Sequence, residues 1–95
     1  MKSYIIILQL GYEENLYPNL LGFIKSATYW AHPMNNVWIV KTPKTATEIR
    51  DGITTHINTK QGDKVAVIAL RNSDWATNNI SKEVTEWMKT NLKSE

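Results

Sequence analysis

Ala27-Thr28-Tyr29-Trp30-Ala31-His32-Pro33-Met34-Asn35-Asn36-Val37-Trp38-Ile39-Val40 is the stretch whose reading decides the fold. It reads as two β-strands joined by a tight Pro/Asn turn, with a tryptophan on each arm. Thr28, Tyr29 and Trp30 favour strand. Pro33 has no N–H to give a neighbouring strand, so the first arm lies at a sheet edge or ends there. Val37-Trp38-Ile39-Val40 is the stronger arm and reads as interior.

Towards the N-terminus, Tyr4 to Leu10 is apolar without alternation and rich in β-branched residues, as suits a central strand covered on at least one face. Gly11 ends it, and Gly11 to Asn15 is a polar loop. A helix starts near Pro18, where a missing N–H costs nothing. Leu20, Leu21, Ile24 and Ala27 define its buried stripe. Gly22 weakens that helix by roughly 1 kcal/mol relative to alanine and is expected to permit close packing on the sheet.

Towards the C-terminus, Pro43 stops the hairpin's second arm. Thr45-Ala46-Thr47-Glu48 matches a capping box. The helix it opens presents Ala46, Ile49, Ile53, and His56 or Ile57 on one face. Gln61-Gly62-Asp63 is a turn, and Val65 to Leu70 is another unbroken apolar strand. Arg71 to Asn79 is a polar loop containing Trp75. From Ser81, a good N-cap residue, Val84, Trp87, Met88 and Leu92 repeat at helical spacing.

The order is β-α-β-β-α-β-α. It predicts an α+β fold: a ferredoxin-like split βαβ sandwich of four antiparallel strands and two helices, with an additional C-terminal helix. Right-handed crossovers put the first and third strands at the centre, flanked by the second and fourth. The sheet's other face needs cover from the third helix, a partner subunit, or both.

Composition agrees with one domain over residues 1–95. A chain of 95 residues buries roughly 65% of its unfolded surface, enough for one core. With 42% hydrophobic and 21% charged residues it has the make-up of an ordinary globular protein. It has no cysteine, which excludes disulfides and thiolate metal sites. The apolar run after Met1-Lys2-Ser3 is too short to cross a bilayer and lacks a cleavage pattern. A cytoplasmic protein without a membrane partner is the expectation. Eleven Lys/Arg against nine Asp/Glu leave a net charge of +2. Lys41, Lys44, Lys60, Lys64 and Arg71 could form a local basic group, but they read first as solvated strand ends and turns.

Taken in order, Tyr4-Ile5-Ile6, Tyr29-Trp30-Ala31-His32, Val37-Trp38-Ile39-Val40, Glu48-Ile49-Arg50-Asp51 and Asp74-Trp75-Ala76-Thr77 give the chain a family likeness. It resembles the small SinR-like proteins related to the CRISPR-associated Cas-two group. The resemblance covers almost the whole chain and implies a ferredoxin-like homodimer. It also implies a metal-dependent nuclease site, with an Asp at the end of the first strand facing its counterpart across the dimer. The matching position here is Gln9. A neutral amide is a much poorer ligand for a hard divalent cation than a carboxylate. Glu13 and Glu14 could substitute only if the loop folded back.

The remaining candidates divide between scaffold and site. His32 is a hairpin histidine that either bonds locally or serves as a base, ligand contact or proton switch. His56 reads as a partly buried structural residue. Trp30 and Trp38 form a cross-strand aromatic pair that packs the core or an interface, or stacks a base. Trp75, with Arg71, Asn72 and Asp74, forms a small polar and aromatic group after the last strand. Trp87 is core. No phosphate-cradling glycine loop or nucleophile elbow occurs. The leading expectation is a non-catalytic homodimer that binds a protein or nucleic-acid partner and has no resident cofactor. Two alternatives stand beside it: a magnesium- or manganese-dependent nuclease using Asp74 or Glu13, and a small-ligand or nucleotide binder using the hairpin aromatics.

Overall fold

The computed structural model describes residues 1–71 and 74–92. Strand β1 (Lys2–Gln9) leads through a 3-10 turn at Glu14–Leu16 into helix α1 (Pro18–Lys25). The hairpin β2 (Tyr29–Met34) and β3 (Val37–Thr42) follows, then α2 (Ala46–Thr54), β4 (Lys64–Leu70) and α3 (Lys82–Asn91). The four strands form one antiparallel sheet in the order β2-β3-β1-β4, so the first and third strands are central, as the crossover argument requires.

Local chemistry accounts for the element ends. Pro18 occupies the first turn of α1. Thr45 accepts from the Glu48 N–H while Glu48 accepts from the Thr45 N–H, completing the capping box of α2. Ser81 caps α3 by accepting from the Val84 N–H. β2 runs through Pro33 to Met34 because it is an edge strand, and the pairing register shifts between Ala31 and Met34. Asn36 turns the hairpin with φ 65°, a left-handed conformation that asparagine tolerates. Its carbonyl accepts from the Leu8 N–H at 2.8 Å, tying the turn to β1.

Strand alternation splits the apolar residues between two faces. On the first face, Tyr4, Ile6 and Leu8 of β1 and Trp38 and Val40 of β3 meet Leu20 and Ile24 of α1 and Ile49 and Ile53 of α2. Gly52, and not Gly22, carries the close approach. A Cβ on Gly52 would overlap the Phe23 ring of α1, whereas one on Gly22 would meet open space. On the second face, α3 packs Met88 and Leu92 against Ile39, with Leu70, Trp75, Val84 and Trp87 at the margin. That cover is partial, since Ile7, Met34 and Ile68 remain exposed. α2 stops at Thr54, so His56 lies just beyond the helix, with its ring 6.1 Å from that of Phe23.

Candidate functional site

The loop between β1 and α1 does fold back, and one buried aspartate holds it there. Asp63, only 4% exposed, accepts from the Gly11 N–H at 2.8 Å on one oxygen. Its other oxygen accepts from the Tyr17 hydroxyl at 3.0 Å and the Asn58 N–H at 2.8 Å. Gly11 and Tyr17 bracket the turn that carries Glu14, so a single carboxylate fixes both ends of that turn. The Asn58 N–H holds the Asp63 carboxyl below its ordinary value. The Gly11 and Tyr17 bonds add to this, and burial opposes it. Burial, followed by the bond to Asp63 and its charge, raises the Tyr17 hydroxyl above its usual 10.0.

Pinned this way, the turn delivers Glu14 to the hairpin. Its Oε1 lies 3.0 Å from His32 Nε2, and its Oε2 accepts from the Trp38 indole N–H at 2.8 Å. Both carboxylate oxygens are engaged, and the side chain is 10% exposed against 32% for His32. The His32 ring lies flat on Trp38, with centroids 3.7 Å apart and planes 2° from parallel. Trp38 is 2% exposed, so the face that could have stacked a base is already covered. Trp30 is tilted against Trp38 at 5.7 Å and stays 39% exposed. The Lys25 ammonium sits 5.2 Å from the Trp30 ring centre.

A carboxylate acceptor at Nε2 sets the histidine tautomer. The neutral ring carries its proton on Nε2, and Nδ1 is left as an acceptor. Beside it lies an open groove of about 1180 Å³, with Tyr12 and Leu16 on its loop side, Lys25 on its helix side, and Asn35 and Asn36 at its hairpin end. Among the described residues, the Asn36 side-chain oxygen is the one buried polar side-chain atom without a hydrogen-bond partner.

The other sequence candidates fall elsewhere. Gln9 is exposed at the end of β1, opposite Lys64 in register, and does not line the groove. Trp75 tucks into the second-face cluster and donates its indole N–H to the Leu92 carbonyl at 3.4 Å. Arg71 and Asp74 are exposed, and Asn72 lies outside the described residues.

The basic group suggested by the sequence divides in two. Lys60 and Lys64 stand at the Gln9 end of the sheet. At the other end, Leu70, Ser3, Lys41 and Tyr29 form one row across the strands, with Arg71 and Lys2 one residue further out. Strands are about 4.8 Å apart, so Arg71 and Lys2 are neighbours at that rim, while strand alternation sends Lys41, with Tyr29, to the opposite face from Lys2. Lys44 follows at the same end, with its ammonium over the Phe23 ring. None of these four cations makes an ion pair among the described residues.

Sequence reading missed Glu14 as a partner of His32, and missed Asp63, Lys25 and Asn36 altogether. The one available signal was the run Glu13-Glu14 between a strand and a proline-started helix. Among the described residues, no three His, Cys, Asp or Glu side chains group as a metal site, and no helix is long and apolar enough to cross a membrane. Comparison with protein-family models, with curated proteins and with solved structures finds no match.

Proposed function

We propose that the chain is a ferredoxin-like module of the SinR-like and Cas-two-like kind that binds nucleic acid as a homodimer without cleaving it. The observation that carries this reading is the basic end of the sheet, whose cations make no ion pair among the described residues. Lys2, Lys41, Lys44 and Arg71 stand along that end on the two faces of the sheet, with the exposed Tyr29 beside Lys41. Cations in such an array neutralise phosphates, and an exposed aromatic ring offers a stacking face. Two copies double the cations to a number that supports salt-sensitive binding.

The absence of cleavage is supported by the side chains at the opposite end. Gln9 is neutral and has Lys64 across from it. Glu14, the carboxylate that folds back, has both oxygens committed to His32 and Trp38. These residues do not fit a hard divalent cation, which needs free carboxylate oxygens. Pairing of two copies is supported by the exposed Ile7 and Ile68 on the half-covered sheet face.

Fluorescence anisotropy with a labelled oligonucleotide between 50 and 200 mM salt tests the reading. Four phosphate contacts per copy predict a log–log salt slope of about −3 to −4, and about −7 for a dimer. Lys2→Ala with Lys41→Ala and Arg71→Ala should abolish most of that slope. Salt-independent binding, or none, sinks the proposal. So does cleavage with added magnesium or manganese that disappears in Glu13→Ala or Asp74→Ala. A monomer mass by sedimentation at tens of micromolar removes the homodimer.

A further inference from the structure

The groove beside His32 lies away from the basic end and is not used by the function proposed above. We infer that it is a binding site for a free mononucleotide. Ring surfaces and polar groups converge on that class. His32 is stacked on the buried Trp38 and keeps its outer face partly open, so it offers the next rung for a flat ring. Tyr12 and Leu16 are exposed on the loop side of the groove and supply a second apolar wall. Bases stack on such surfaces with little regard to sequence.

The polar groups suit the rest of the molecule. Glu14 occupies Nε2 and leaves His32 Nδ1 to meet a ribose hydroxyl, which can donate to a neutral ring or accept from a protonated one. Lys25 lines the groove on its helix side, and its ammonium rests on Trp30 with no ion pair among the described residues. It is placed to meet a phosphate. At the hairpin end, the Asn36 oxygen is buried without a partner. Asn36 lines the groove, and a base's exocyclic amine is a donor of the kind that would satisfy that oxygen. A small amino acid also carries a donor and an anion, but it leaves the ring surfaces and most of the 1180 Å³ unused. Asp63 acts here as a positioning residue, because it pins the turn that brings Glu14 and Tyr12 to the groove.

Isothermal titration with AMP, adenosine, ribose 5-phosphate and UMP tests the inference, with backbone amide NMR shifts to locate the site. AMP should bind saturably and shift the amides of residues 11–16 and 32–38. Adenosine and ribose 5-phosphate should each bind at least about ten-fold more weakly, since each lacks one of the anchoring groups. UMP, with a carbonyl in place of the amine, should be weaker than AMP by about five-fold or more. Lys25→Ala should bring AMP down to the level of adenosine. Asn36→Gly, which keeps the left-handed turn, should erase the preference for AMP over UMP. No saturable AMP binding at millimolar concentration overturns the inference. Equal affinity for AMP and ribose 5-phosphate, full affinity in Lys25→Ala, or shifts confined to residues near Lys2 and Lys41 also overturn it. A dinucleotide binding more tightly than AMP would assign the groove to a strand instead of a free nucleotide. Loss of oligonucleotide binding in the Lys2/Lys41/Arg71 variant, with AMP binding retained, separates the two sites.

Discussion

The two faces of one sheet are finished differently. The first is closed by α1 and α2 over nine buried residues drawn from both helices and both central strands. The second is capped by α3 over three, and leaves Ile7 and Ile68 in the open. The second has room to meet something, and its cover comes from a helix outside the four-strand, two-helix unit. The contrast places most of the buried core on one side and leaves open apolar surface on the other.

The largest expected break is on the closed face. Trp38→Ala removes a buried indole and the donor that anchors Glu14, and should cost about 3–5 kcal/mol by urea denaturation. On the half-covered face, Met88→Ala should cost about 2 kcal/mol, because its cluster is small and can relax. If the two variants cost the same, the faces are energetically equal and the contrast fails.

Asp63→Asn comes next, at about 1–2 kcal/mol, since an amide loses the charge that its three donors meet. This variant also carries a pH signature. The folded Asp63 carboxyl titrates below the unfolded 3.8. Its contribution is therefore complete above that value and disappears as the pH falls through the lower, folded one. Thermal melts of the native chain should drop in that acid window, and those of Asp63→Asn should drop less. Tyr17 works at the other limit. Its raised hydroxyl stabilises fully below 10.0, and the effect fades as the pH rises through the folded value. The smallest effect belongs to Ile68→Lys, within about 0.5 kcal/mol because the residue is already exposed. Its sharper readout is association, since sedimentation should register a loss of self-pairing while the melt barely moves.

Most of the fold was legible because its signals are local. The Thr45–Glu48 capping box, Pro18 at a helix start, the Ser81 cap and the hairpin each speak within four to fourteen residues, and all four are present in the structure. The site was less legible because its bonds are not local. Glu14 meets His32 and Trp38 across 18 and 24 residues, and Asp63 reaches Tyr17 and Gly11 across 46 and 52. No spacing rule marks such pairs. Trp75 was ambiguous for a different reason: a tryptophan in a polar loop looks the same in sequence whether it faces outwards or tucks in, and only α3 decides that it tucks in. Gly22 and Gly52 look alike on paper, and only the Phe23 ring distinguishes them.

The register slip between Ala31 and Met34, with Pro33 inside it, bears on strand-to-strand addition at the sheet's rims. It interrupts the ladder on the β2 rim, where Pro33 has no N–H to offer an incoming strand. The β4 rim has no such interruption from Lys64 to Leu70. A molecule with one receptive rim has a valence of one. Any edge-to-edge joining of two copies would occupy both receptive rims at once, so strand-to-strand growth would end as a closed pair instead of running on into a fibre.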